Sequence, residues 1–417
     1  MKINVDDYKD LVKDNIWSLA INEAIKNMND NDTLVFSDDK TYLSGTIFLK
    51  SNINIYLGHN TILKACDDIS KFNLLNDNIK KLDHNTFINC DYDGKPKLYF
   101  IYGINLENIN FDGEGIIDGN EKIFYGQIEE NFIEGSFYPR MPLIYFENVK
   151  NFKITNLTLQ NSAFWTVHLV GCQFGMISKL KILNNLKMLN ADGIDPDHSH
   201  DITIRDCFIR SADDCIVLKG TKGNIKYGDT YNIDISNCVL ESTSAALKIG
   251  TETFNDFYNI NFKNIEIIWA NRGISIQHRD SGNIYNLCFD NIDIHSHLVD
   301  PKAFWGKGEV IAITSIKREN DLDLGTIKDI NFKNINAIGE HGVFIYGSNN
   351  IDNIEFENTN INLDRFTNYD INLFDLRPGV VGLIEGKALD YYIFGAKNIK
   401  HWFEGDSYEY ARKSKIR

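Results

Sequence analysis

The stretch 233–240, IDISNCVL, is followed by INFKNIEI at 260–267 and YNLCFDNIDI at 285–294, three forms of one short pattern. Apolar and polar residues alternate, an Asn or Asp follows, and an apolar residue comes after it. The pattern continues outward in both directions as NLENINF from 105, FKITNLTL from 152, ITIRDCFI from 202, INFKNINA from 330 and IEFENTNI from 354, with a weaker copy, ISKLKILNN, from 177. Its central residues are Asn108, Asn156, Asp206, Asn237, Asn264, Asn291, Asn334 and Asn358; the steps Asp206–Asn237, Asn237–Asn264 and Asn334–Asn358 are 31, 27 and 24 residues. Each copy is short, rich in Ile, Phe and β-branched residues and bounded by Asn, Asp and Gly, which marks a strand. A repeat of this period predicts stacked coils, and short strands at equivalent places in successive coils predict a parallel β-helix. The recurrent Asn then belongs at a turn, where its side chain bonds backbone groups and left-handed geometry is tolerated. Leucine-rich repeats, the rival solenoid, are disfavoured because the copies leave no room for regular helices.

The first hundred residues differ. WSLAINEAIKNM, 17–28, has apolar residues at helical spacing and predicts a short helix capping the N-terminal end of the stack. The chain is expected to be one β-helix domain over 1–417: a cap region at 1–40, coils over 41–395 beginning with TYLSGTIFLKSNINIYLG at 41–58, and a C-terminal cap or tail at 396–417. Segments 66–98 and 120–141 read as long loops, which in solenoids often build binding surfaces.

With 417 residues, 43% of them hydrophobic, the chain can bury a substantial core. A formal charge of -15 argues against nucleic acid, whose phosphates call for clustered Lys and Arg. It leaves room for an anionic sugar held in a local basic pocket. No apolar run approaches a membrane span, and MKINVDDYKDLVKDNIW does not read as a secretory signal. The seven cysteines form no metal spacing and leave one over in any disulfide scheme, so reduced thiols in the cytoplasm are expected.

Two acidic motifs carry the chemistry, NADGIDPDHSHD at 190–201 and SADDCIVLKG at 211–220. Asp192 and Asp213 are 21 residues apart, about one coil, which predicts Asp192 beside Asp213 and Asp214 at roughly the 5 Å spacing of neighbouring strands. Carboxylates so close repel one another and raise at least one pKa, so that one acid stays protonated while the others are charged. Glycosidic cleavage needs that division: one carboxyl protonates the leaving oxygen and another activates water. Any one of these aspartates could simply be a turn residue. A DD pair one coil from a third Asp, each before an apolar strand, repels itself and is a poor structural choice without compensation. Strand alternation would also point Asp213 and Asp214 in opposite directions unless the chain bends there.

Asn190-Ala191-Asp192 resembles the NTD motif, and Asp213-Asp214 the DD motif, of the polygalacturonase family, glycoside hydrolase family 28. GTIFLKSNINIYL at 45–57, the segment 140–172 and FWGKGEVIAITS at 304–315 are similar to that family too, so the likeness covers most of the chain. The resemblance implies a right-handed parallel β-helix and an inverting mechanism, with Asp213 as general acid and Asp192 and Asp214 holding the attacking water. Two family motifs are absent. Ser244-Ala245-Ala246 stands where GHG is expected, and Ser275-Ile276-Gln277 where RIK is expected, so the cations that grip a galacturonate carboxylate in the family are missing.

The candidate sugar-binding residues are Trp165 and His168, one coil before Asp192; Lys219, on the strand after the DD pair; Lys248, Gln277 and Arg279; and Trp305. Arg272 and His278 are further stand-ins for the missing cations, and Arg140 and Glu309 are additional candidates. The expected protein is an inverting glycoside hydrolase acting on an oligosaccharide, pectin-derived or related, and exo-acting. It is expected to use neither metal nor organic cofactor, because carboxylates and water suffice. The alternatives are a polysaccharide lyase, in which acids bind calcium and a basic residue takes the proton, and a non-catalytic glycan-binding β-helix.

Overall fold

A computed structural model describes residues 1–72, 94–386 and 391–400. It divides into two compact units, Met1–Ala212 and Asp213–Arg417, and each is built from coils of parallel β-helix.

In the first unit, Thr33–Phe36 pairs in parallel with Lys2–Asn4 and with Ile53–Leu57. The pairing runs on from Ile53–Leu57 to Ile101–Gly113 and then to Ile144–Thr155. The coils therefore begin inside the region expected to be only a cap, because TLVF at 33–36 already alternates outward and inward residues. The helix is Ser18–Asn27, and it buries Ala20, Ile21, Ala24 and Ile25. Ile21 and Ile25 face the same apolar interior as Leu34, Phe36, Ile55 and Ile101, so the helix covers core that would otherwise be wet. Farther on, Val167–Val170 pairs with Ile194–Asp197, and Gln173–Ser178 with His200–Arg205. Segment 120–141 is more ordered than a loop: Tyr125–Ile128 and Ile133–Gly135 form an antiparallel hairpin. Most of 66–98 lies outside the described residues.

In the second unit, Thr230–Thr253, Phe257–His278, Ile284–Ser296 and Ile327–Gly339 pair in parallel, each with the next. Glu309–Ser315 pairs with Phe257–His278 and with His341–Leu363. Tyr391–Lys400 adds a further parallel strand, so the expected tail is strand as far as Lys400, and 401–417 lie outside the described residues.

All eight recurrent Asn and Asp residues sit at positive φ, between 49° and 64°. Their amides form ladders along the coils: Asn264 donates to Asn237 at 3.1 Å and accepts from Asn291 at 2.9 Å, each 27 residues away. Inside the same coils Phe262, Phe289, Phe332 and Phe356 stack with centroids 4.4 to 4.9 Å apart. That is the spacing of neighbouring strands, and each stacked pair adds about 1 kcal/mol beyond its buried area. Asn264→Val, which forces a β-branched residue into left-handed backbone and cuts both ladder bonds, is expected to destabilise by about 2 kcal/mol. Asn264→Gly keeps the backbone and should lose less than half as much. Urea unfolding midpoints of the two variants check the order.

The six described cysteines, Cys66, Cys172, Cys207, Cys215, Cys238 and Cys288, form no disulfide, and Cys90 is outside the described residues. No described helix is long and apolar enough to cross a membrane.

Candidate active site

In the first unit the turn Asn190–Gly193 precedes the strand Ile194–Asp197. Asn190 takes a left-handed φ of 58°. Beside it Arg140, 1% exposed, donates Nε to the Ala163 carbonyl at 2.7 Å and Nη2 to Asn190 Oδ1 at 3.0 Å and to the Leu189 carbonyl. Thr166 completes the frame, its N–H and hydroxyl both donating to the Asp192 carbonyl, at 3.0 and 2.6 Å. Arg140 is thus a brace that shapes the turn carrying Asp192 rather than a sugar ligand. Asp192 itself is 2% exposed.

His168 and Trp165 are not placed to bind sugar. His168 is 0% exposed; its Nε2 lies 3.4 Å from Asp197 Oδ2, and its ring packs edge-on against Trp165 at 4.7 Å and Tyr145 at 5.3 Å. Trp165 is buried too, stacked on Phe164 at 5.2 Å. The expected contact fails because the strand Val167–Val170 is buried on both faces, so a polar side chain there finds a core partner instead of solvent.

In the second unit Asp213 and Asp214 occupy a bend before the strand Ile216–Gly220. The bend frees the pair from strand alternation. Asp214, 1% exposed, accepts from the Ser244 hydroxyl at 3.0 Å and the Ala245 N–H at 3.1 Å on Oδ1, and from the Lys248 ammonium at 2.6 Å on Oδ2. Ser244-Ala245-Ala246, where the sequence departs from the GHG pattern, therefore supplies two of the three donors that hold this carboxylate. Both oxygens are engaged by donors, one of them cationic. Asp213, only partly buried, has its carbonyl fixed by the Ser242 hydroxyl at 2.7 Å. Burial first, and the neighbouring Asp214 charge second, push its carboxyl up to about 6, against the pull of Lys248 and Lys219. Lys219, 4% exposed, thus acts on the acid as a charge.

The other stand-in cations are occupied. Arg279, 0% exposed, donates to the carbonyls of His278, Thr314, Leu376 and Pro378 and to the Thr314 hydroxyl. It fastens segment 376–378 to the coil and is not a sugar ligand. Gln277 joins it there, donating to the Arg377 carbonyl at 3.2 Å. Arg272 makes a bidentate pair with Glu309, both bonds 3.1 Å, and reaches the Asp375 carbonyl at 2.8 Å. His278 is held between the Ser315 hydroxyl at 2.6 Å and the Gly282 carbonyl at 2.7 Å. Guanidiniums and imidazoles that saturate buried carbonyls have little left for a ligand. Trp305 remains partly exposed, with its carbonyl taking the Asn271 amide at 3.0 Å.

Residues 67–371 match the model of the Glycosyl hydrolases family 28. A probable polygalacturonase of Vitis vinifera is 28% identical over 242 residues, 56% of this chain and 47% of that protein. An endo-polygalacturonase of Pectobacterium parmentieri is 27% identical over 245 residues, 56% and 58% of the two chains. The chain thus spans about half the length of the curated relatives it matches. Among solved structures, an exopolygalacturonase from Thermotoga maritima superposes with a TM-score of 0.72 at 19% identity, covering 93% of this chain and 95% of the other. A family 28 exopolygalacturonase of Yersinia enterocolitica gives 0.68 at 15% identity, covering 97% and 76%. These likenesses establish a shared parallel β-helix fold.

Proposed function

We propose, for a chain that belongs to glycosyl hydrolases family 28, an inverting hydrolysis of glycosidic bonds in a pectin-derived oligosaccharide, proceeding from one end. Asp213 is the general acid. Asp214 holds and activates the water. The observation that carries the proposal is the unequal treatment of two adjacent carboxyls: Asp214 is ringed by three donors, while Asp213 is pushed up to about 6. One proton donor and one charged carboxylate then coexist near neutrality, as acid–base cleavage of an acetal requires.

The lyase alternative asks for a basic side chain at the acid pair free to take a proton, and Lys248, the cation bonded there, is committed to Asp214. Incubation with pectic oligosaccharides tests both points. Hydrolysis gives products without ultraviolet-absorbing double bonds, and end-wise action releases one short product from the first minutes. Unsaturated products, or a spread of intermediate lengths, would overturn the corresponding half of the proposal.

The pH profile follows from Asp213. Its carboxyl must be protonated to donate, so kcat is expected to fall about tenfold per pH unit once pH passes about 6. Stability should move the same way. The folded carboxyl keeps its proton to higher pH than the unfolded one at 3.8, so the fold binds more protons across that interval and loses stability as pH rises from about 4 to about 6. Melting temperatures of the wild type and Asp213→Asn across that range check this, the variant lacking the Asp213 contribution to the slope.

A further inference from the structure

Lys307 lies on the short segment Gly306-Lys307-Gly308, whose glycines take φ of 124° and 82°, conformations that side-chain-bearing residues avoid. A Cβ at Gly306 would meet the Arg272 side chain at 3.0 Å, so the segment rests directly on that guanidinium. Two bonds to carboxylates fix it: the Gly306 N–H donates to Asp375 Oδ2 at 3.1 Å and the Lys307 N–H to Glu309 Oε2 at 2.7 Å.

The charges around it do not cancel. Glu309 is matched by Arg272 at 3.1 Å and Asp375 by Arg377 at 2.7 Å, which leaves the Lys307 ammonium over. Lys307 is only 3% exposed, yet among the described residues its ammonium has no hydrogen-bond acceptor and no carboxylate at ion-pair distance. It is not sealed from solvent either, since it is absent from the fully enclosed polar atoms that lack a partner. A buried charge is normally paired, because leaving it alone costs several kcal/mol. An unpaired ammonium that is buried but not fully enclosed, on a backbone held in place by two carboxylates, is the signature of a site for an anion. Burial also draws its pKa below the usual lysine value, the direction expected of a cation short of counter-charge.

Position ties Lys307 to the acid pair. Ala245, whose N–H caps Asp214, is the strand partner of Arg272, and the next strand over carries Ile311 beside Ile274, which brings Glu309 to Arg272. Two strand spacings, roughly 10 Å, separate the Asp214 cap from the Glu309 coil. That is a neighbouring sugar unit rather than the bond being cut. Trp305, two residues before Lys307, is partly exposed.

We infer that Lys307 anchors an oxyanion subsite, which takes a singly charged carboxylate or sulfate ester borne by the sugar chain that the Asp213–Asp214 pair cleaves. The identity of the bound chain rests on the hydrolase reading; the anion preference does not. Binding is measured by calorimetry on the full chain in an Asp213→Asn background, so that no turnover intervenes, with three probes: trigalacturonate, a sulfated galactotriose and neutral galactotriose. At least one anionic probe is expected to bind ten times or more tighter than the neutral one, with an advantage that shrinks in salt; whichever does identifies the oxyanion. Lys307→Met should abolish that advantage, leave neutral affinity unchanged and keep or raise the melting temperature, since methionine removes an unpaired buried charge. Lys307→Arg should keep the preference. Equal affinity for all three probes in the parent, an undiminished anion advantage in Lys307→Met, or a lowered melting temperature with equal loss for every probe would overturn the inference. A chain that shows the anion preference but hydrolyses no glycan when Asp213 is intact would instead overturn the hydrolase reading.

Discussion

Asp213→Asn is expected to cut kcat on a natural sugar–sugar bond by about 10³- to 10⁴-fold, the upper range for a lost general acid. Amide and carboxyl are nearly isosteric, so the bend and the Ser242 bond to the Asp213 carbonyl survive. What disappears is the proton for the leaving oxygen. An aryl glycoside with an acidic phenol as leaving group needs little protonation and should lose no more than about tenfold. The fold should be no weaker at pH 7, because a partly buried carboxyl repelled by Asp214 has been neutralised. Equal losses on both substrates would mean that Asp213 does not act as the acid, and a lowered melting temperature would mean that it serves the structure.

Lys248→Met is expected to cost about 3–5 kcal/mol of stability, the range for removing one partner of a buried ion pair. Lys248 is 8% exposed and Asp214 1% exposed, so water cannot replace the ammonium that sits 2.6 Å from the carboxylate. The Ser244 hydroxyl and Ala245 N–H remain but carry no full charge. Adding Asp214→Asn to the same chain should recover most of the loss, because the stranded charge is then gone. Denaturant unfolding of the two single variants and the double variant measures this. A Lys248→Met loss below about 1 kcal/mol, or losses that simply add in the double variant, would show that the contact is not an ion pair of this strength.

The Asn repeats were legible because a single residue type solves a local problem: Asn tolerates left-handed backbone, and all eight marked positions adopt it. The DD pair was legible for a related reason, since adjacency in sequence guarantees adjacency in space. What could not be read were contacts fixed by coil register. Ser244 and Lys248 reach Asp214 across 30 and 34 residues, and Arg272 reaches the Asp375 carbonyl across 103. With ladder steps ranging from 21 residues between Asp39 and Asn60 to 56 between Asn52 and Asn108, no single period predicts which turn faces which. Burial was equally hidden. His168 and Arg279 look like free polar groups in sequence, but His168 lies on a strand packed on both sides with Nε2 against Asp197, and Arg279, just past a strand end, spends its guanidinium on core carbonyls. Lys307 lies in FWGKGEVIAITS, between Trp305 and Glu309, yet its isolation appears only once the neighbouring charges are seen to be paired with one another.

Inversion means a single displacement by water, with Asp213 donating the proton to the leaving oxygen. Proton NMR of the newly formed reducing end, recorded in the first minutes before mutarotation equilibrates the anomers, tests it most directly. The initial product is expected to have the anomeric configuration opposite to that of the bond cleaved; an initial product that keeps the configuration would require a covalent intermediate and rule out single displacement.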